Sequence, residues 1–278
     1  MLKIGIIPNM TKADCVPVLE EFCGILSGRA ELFVPAGEGF KPPEGTNVIS
    51  GEEIFSAADI IVVMGGDGSL LGVSSAAALA GKPLLGINLG RVGYLASAEK
   101  ENLEPVAEKL ITGDYEINEY MMLKACYGGG EAVLALNDVV ASRSEFGRII
   151  EFSVFVDDEY VDTYTADGVV IATPTGSTAY SLSAGGPIAY PTMDMLVITP
   201  ICPHGLSSRP IVIPADKKIT VKLGEKYDYK ALITVDGKIV SPMSKNDSFT
   251  VSKATVKTRL IKMNNYGFYD ILRIKLKG

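Results

Sequence analysis

Apolar residues fall in two different patterns along the chain, and the change comes near Asn118. Before it, short apolar runs at Lys3 to Ile7, Ala30 to Val34, Ile60 to Met64 and Pro83 to Ile87 alternate with segments of helical spacing. The helical segments lie around Val16 to Leu26, Leu70 to Ala80 and Leu103 to Ile111. Such runs predict buried strands, and their alternation with helices predicts βαβ units around a parallel sheet. After Asn118 the segments Met121 to Tyr127, Ala132 to Val140, Phe152 to Val156, Val169 to Thr173, Met195 to Pro200, Lys218 to Leu223 and Ala231 to Val235 are rich in β-branched residues. Turn signals at Tyr127 to Gly130, Asp157-Asp158 and Asp236-Gly237 separate them, and helical periodicity is scarce, which predicts an all-β layered domain. From Tyr266 to Leu276 helical intervals return, predicting a terminal helix that packs back on the first domain. The expected division is 1–118 and 119–259, with 260–278 returning to the first part.

Composition narrows the function classes. A chain of 278 residues can bury a sizeable core, and a hydrophobic content of 47% with 21% charged residues describes a globular protein. The net charge of −7 disfavours a nucleic-acid surface. No apolar run is long enough to span a bilayer, and the opening MLKIGIIPN reads as a buried strand rather than a secretory signal. Cys15, Cys23, Cys126 and Cys202 have no CxxC spacing and no histidine cluster beside them. Reduced thiols in a cytoplasmic protein without a zinc site are therefore expected.

Candidate chemistry begins at IIVVMGGDGSLLG, residues 60–72, where a buried run meets Gly65, Gly66, Asp67, Gly68 and Ser69. Glycine and aspartate form turns on their own account, so strand, turn and helix are expected on any reading. Three glycines without side chains also leave room for a guest, and beyond the carboxyl end of a strand in an open α/β sheet that guest is an anion held by backbone amides. The motif is not a Walker A loop, because Gly81-Lys82 is followed by Pro83, and Gly66, Gly68 and Gly72 do not fit the dinucleotide fingerprint. Asp67 adds an acceptor able to take a hydroxyl proton or hold Mg²⁺ beside the phosphate loop, a pairing that phosphoryl transfer requires.

Three further stretches bear on the same chemistry. Gly86 to Leu95 forms a second glycine-rich strand exit carrying Arg91 and Tyr94. Asn137-Asp138 lies inside an apolar pattern where an unsatisfied amide and carboxylate are costly, so either a structural network or the hydroxyls of a ribose must meet them. Asp167 to Pro187, DGVVIATPTGSTAYSLSAGGP, offers many short hydroxyl donors and exposed amides after a buried strand. A Ser/Thr-rich surface loop is the plain alternative.

Together, GGDGS, Asn137-Asp138, DGVVIATPTGSTAYSLSAGGP and Pro200 to Pro210 (PICPHGLSSRP) closely resemble the NAD kinases, in order from about Ile60 to Arg209. The resemblance implies transfer of the ATP γ-phosphoryl group to the 2′-hydroxyl of the adenosine ribose of NAD, giving NADP. It implies an α/β N-terminal domain with a parallel, Rossmann-like sheet and an all-β, sandwich-like C-terminal domain. A divalent cation such as Mg²⁺ is also implied, as is a homodimer or homotetramer whose NAD site borrows residues from a neighbouring subunit.

Carried over by position, the resemblance makes Asp67 the base, with Gly66, Gly68 and Ser69 in the phosphate loop. Asn137 and Asp138 are implied to bind the adenosine end of NAD, and Thr175, Thr178, Ala179, Tyr180 and Ser183 to line the dinucleotide pocket. Tyr94 takes the place of a phenylalanine stacked near the adenine, and Asp167 that of an aspartate reaching the nicotinamide across a subunit interface. His204, the single histidine, falls in a structural or interface segment. Ser69 replaces the family's usual Thr and Asp138 its usual Glu, one methylene shorter. The expected small-molecule substrates are NAD and ATP, with NADH, other nucleoside triphosphates and polyphosphate left open.

GGDG loops also occur in phosphofructokinases and in diacylglycerol and sphingosine kinases. A sugar-phosphate kinase needs a basic cluster that is absent around the motif, and a lipid kinase needs a membrane-facing element. A non-catalytic NAD or NADP sensor is the remaining alternative; a carboxylate beside incoming phosphates argues against it.

Overall fold

The computed structural model describes residues 1–37, 41–90, 93–144, 150–225, 230–263 and 267–276. Arg91 and Tyr266, named above, lie outside them. Two compact units are present, one formed by 1–119 with 258–278 and the other by 120–257.

In the first unit β1 (Leu2–Pro8), α1 (Cys15–Leu26), β2 (Ala30–Pro35), β3 (Thr46–Ile49), α2 (Ile54–Ala57), β4 (Ile60–Gly65), α3 (Asp67–Leu79), β5 (Leu84–Asn88), β6 (Ala98–Glu99) and α4 (Leu103–Thr112) follow in order. The sheet runs β3-β2-β1-β4-β5, all parallel, with Ile4 opposite Leu32, Ile6 opposite Val62 and Val63 opposite Gly86. Every residue of β4 is buried, as expected for a strand covered on both faces. One core gathers Ile4, Ile6, Val62, Met64 and Ile87 with Phe22 of α1 and Leu110 of α4. Ile261 and Met263, from the far end of the chain, join it. α3 begins at Asp67, so the aspartate expected in a turn is the first residue of a helix capped by extended Gly66.

The second unit contains β7 (Glu116–Tyr127), which begins just ahead of it, then β8 (Val133–Ala135), β9 (Asp138–Arg143), β10 (Ile150–Val156), β11 (Glu159–Ala166), β12 (Gly168–Ala172), the short α5 (Tyr180–Ser183) and β13 (Met195–Ile201). It continues with β14 (Ile211–Pro214), β15 (Ile219–Leu223), β16 (Ala231–Val235), β17 (Lys238–Met243) and most of β18 (Ser248–Lys262); α6 (Phe268–Leu276) belongs to the first unit. An antiparallel sheet in the order β14-β13-β12-β9-β16-β17 faces a second antiparallel run, β11-β10-β15-β18. Val139, Ala141, Val169 and Ile171 point into the core shared with Phe152, Val154, Tyr164, Val221 and Phe249. Their alternates Val140, Val170 and Ala172 pack with Ala189, Met195 and Val197 on the other face. Burial of both faces explains why these strands read as continuous apolar runs.

The segment Ala132 to Val140, expected as one strand, is two. It breaks at Leu136-Asn137, where three successive amides turn to a single carboxylate described below.

Candidate functional site

In the first unit, β4 delivers the glycine loop, and α3 begins within it at Asp67. The Asp67 carboxylate accepts three backbone hydrogen bonds: Oδ2 from the amide of Tyr94 at 2.8 Å, Oδ1 from Leu95 at 3.0 Å and from Ala96 at 3.3 Å. A carboxylate offers about four lone-pair positions, so one on Oδ2 is left for a further partner. Gly93 makes this approach possible. A Cβ built on it would overlap the Asp67 carboxylate.

Ser69 accepts a hydrogen bond from Asn9 Nδ2 at 2.8 Å, and Asn9 Oδ1 in turn accepts from the Thr11 amide and hydroxyl. The N-terminal turn of α3 presents backbone N–H groups without intrahelical acceptors, the usual seat for a phosphate. Asn88, buried at the end of β5, bridges Gly90 and Glu99 and so fixes the second glycine loop. Partial burial, and then the Asp67 charge, push the Tyr94 hydroxyl pKa up, while Lys275 of α6 lies 5.9 Å from the centre of its ring. The structure therefore brings Gly66, Asp67, Gly68, Ser69 and Tyr94 together in one unit.

The second unit gathers the other candidates. Thr173, following β12, holds the chain at Leu136-Asn137: its hydroxyl donates to the Leu136 carbonyl at 2.6 Å and its amide to the Asn137 carbonyl at 2.9 Å. Gly176 packs so closely on Asn137 that a Cβ would overlap the Asn137 carbonyl. Thr178 bonds back to the Thr175 carbonyl, and the amide of Ala179 to Gly176. Thr175 is buried, and its hydroxyl meets no hydrogen-bond partner among the described residues. Asp138 is 5% exposed, and burial together with the nearby Asp236 charge pushes its carboxyl up to about 7. Burial also raises Tyr180, helped by Cys202, Asp167 and Asp138. Tyr180 and Ser183 are exposed at the surface of this cluster, and Asp167 forms a half-buried ion pair with Arg143 at 3.2 Å. His204 is exposed and its amide bonds to the Thr165 carbonyl.

The first unit thus holds a glycine loop with a carboxylate, and the second a hydroxyl-rich segment beside a buried acid. Residues 4–115 match the ATP-NAD kinase N-terminal domain, and residues 136–263 match the ATP-NAD kinase C-terminal domain. The chain belongs to the NAD kinase family.

Relatives agree over the full length. The NAD kinase of Caldanaerobacter subterraneus subsp. tengcongensis is 40% identical over 281 residues, covering 99% of both chains. The NAD kinase of Desulforamulus reducens is 40% identical over 285 residues, covering 100% of this chain and 98% of its own. Among solved structures, yeast NADH kinase complexed with NADH superposes with a TM-score of 0.89 at 25% identity, covering 100% of this chain and 88% of that one. An Archaeoglobus fulgidus NAD kinase in complex with ATP gives 0.77 at 26% identity, with 100% and 99% covered. Membership of the NAD kinase family sets aside the sugar-phosphate and lipid kinases that share the GGDG spelling.

Sequence reasoning missed Asn9, Gly93 and Asp236. Gly93 lies in the glycine-rich strand exit Gly86 to Leu95 with no role assigned to it, whereas Asn9 and Asp236 carry no local signal beyond an end-of-strand residue and a turn. Among the described residues no cluster of three or more His, Cys, Asp or Glu is placed to hold a metal ion.

Proposed function

We propose that this chain transfers the γ-phosphoryl group of ATP to the 2′-hydroxyl of the adenosine ribose of NAD, forming NADP and ADP. The observation that carries the reading is the Asp67 carboxylate, fixed by three amides with one Oδ2 lone pair left, at the head of a helix whose first amides favour phosphate. In this reading Oδ2 takes the proton of the 2′-hydroxyl while the ribose oxygen attacks the γ-phosphorus and the bond to the β-phosphate oxygen breaks. ADP leaves with the electron pair.

Asn137, Asp138, Thr175, Thr178, Ala179, Tyr180 and Ser183 serve as the NAD-binding set, and Gly66, Gly68 and Ser69 as the phosphate loop. A protonated Asp138 can donate to a ribose oxygen as well as accept from a hydroxyl, which suits a sugar diol. A divalent cation such as Mg²⁺ would accompany the ATP phosphates and neutralise their charge. Tyr94 faces the adenine, and Asp167 the nicotinamide end. We assign the working form to a cytoplasmic homodimer or homotetramer; no described helix is long and apolar enough to cross a membrane.

The test is NADP formation from NAD, ATP and Mg²⁺, read through an NADP-specific dehydrogenase, with NADH and polyphosphate as parallel substrates. NADP from the wild type supports the reading. No NADP with NAD still bound would replace it with a sensor. Light scattering of the eluted protein checks the oligomer, a monomeric mass being the contrary result.

A further inference from the structure

The second unit contains a half-buried carboxylate that the proposed chemistry does not use. Asp236 opens the two-residue turn between β16 and β17, with φ of 47° there and 78° at Gly237, so both residues take the left-handed form of a tight hairpin. As a turn former, Asp236 would need no further role. Its side chain, however, turns back across about a hundred residues of sequence: Oδ2 accepts from the amide of Leu136 at 2.8 Å, and Oδ1 from Asn137 at 2.8 Å and Asp138 at 3.1 Å. The Asp236 amide donates to the Asp138 carbonyl at 3.0 Å, closing a reciprocal clamp.

Successive amides of a strand point to opposite sides. Three in a row reach one carboxylate only where the chain leaves strand geometry, and that is where β8 ends and β9 begins. Thr173 grips the Leu136 and Asn137 carbonyls, so both polar groups of Asn137's backbone are tied. We propose that Asp236 is a positioning residue for the dinucleotide: its carboxylate holds the bend that sets Asn137 and Asp138 in place to meet the ribose of NAD. This rests on the reading in which the second unit binds NAD.

The clamp also has an electrostatic side. Amide donors favour the charged form of Asp236 and offset part of the rise that burial imposes on it. Its charge then helps keep the proton on Asp138. Among the described residues Lys238 also favours the charged form of Asp236, and Asp138 in turn contributes to the rise of the Tyr180 hydroxyl.

Asp236→Asn keeps the turn, since Asn also tolerates left-handed backbone, but sets an NH₂ group against backbone donors. Asp236→Gly removes the clamp and takes the same φ without strain. In the full chain both variants are expected to raise KM for NAD about tenfold or more, with KM for ATP within about twofold and kcat within about threefold. Unchanged KM for NAD in a folded variant would overturn the proposal. Equal weakening of NAD and ATP, or loss of folding in both variants, would do the same by making Asp236 a general scaffold residue. Calorimetric titration of NAD into wild type and variants needs no turnover. An NAD affinity that depends on Asp236 in a wild type making no NADP would support the positioning role while sinking the kinase reading, and an affinity indifferent to Asp236 beside normal NADP formation would do the reverse.

Discussion

The backbone amide of Tyr94 points into the carboxylate of Asp67, 2.8 Å from Oδ2, on the same oxygen that the proposed reaction uses to accept a proton. Loop and helix are therefore locked together through the reacting group itself. Asp67→Asn keeps the side chain's size but replaces a proton acceptor with an amide, and sets its NH₂ against one of the backbone donors at 94–96. A fall in kcat of about 10²–10⁴-fold is expected, the usual worth of a positioned base, with NAD affinity by calorimetry nearly unchanged. Equal turnover in the variant would remove Asp67 from the chemistry.

Gly93→Ala tests the approach that permits this contact. Because the added methyl would occupy the carboxylate's place, Asp67 or the loop must move, and a displacement of about 1 Å costs on the order of a hundredfold in rate. Steady-state kinetics should show the loss in kcat, while circular dichroism shows the fold intact. A kcat within twofold of wild type, roughly 0.4 kcal/mol, would mean that the carboxylate's position is not critical.

Asp138 gives stability a pH signature. Its carboxyl titrates at about 7 in the folded chain against 3.8 as the reference value, so between these values the folded state binds more protons than the unfolded one. Stability from this group is complete below the reference value and is lost as pH rises through about 7. Against Asp138→Asn, which has no such proton, wild-type Tm should fall progressively as pH rises from about 5 to about 8. Parallel Tm curves for the two proteins would contradict the shift.

Thr175→Val separates stability from binding. Its hydroxyl is buried without a partner among the described residues, and replacing it by a methyl of the same shape removes a desolvated polar group, worth a gain of about 1 kcal/mol in denaturant unfolding. If the hydroxyl serves NAD, the same variant shows a KM for NAD raised several-fold. A stabilised protein with normal KM would take Thr175 out of the dinucleotide set.

Legibility in the sequence followed burial. β4 and β12 stand out as uninterrupted apolar runs because both of their faces are covered, and βαβ alternation marks the parallel sheet. The long β18 was not anticipated: SFTVSKATVKTRLIK buries alternate residues and scatters lysines between them, so no run of apolar residues marks it. β11, β14 and β17 are half-exposed strands beside turns, and none of them presents a long buried run. The candidate motifs were visible because glycines and hydroxyls cluster in sequence. Asp236 was not, since its partners Leu136 to Asp138 lie about a hundred residues away and only a turn is written locally.

Asp67 and Asp236 share one construction, a carboxylate receiving three consecutive amides, from 94–96 in one unit and 136–138 in the other. Such a triplet has no slack. Adding or removing a single residue within either span would rotate the remaining N–H groups off their acceptor, so these two stretches are closed to changes in length whatever their side chains. Solvated turns such as Tyr127 to Gly130, whose backbone answers to no distant side chain in the hydrogen-bond network described, are where the chain can grow or shrink.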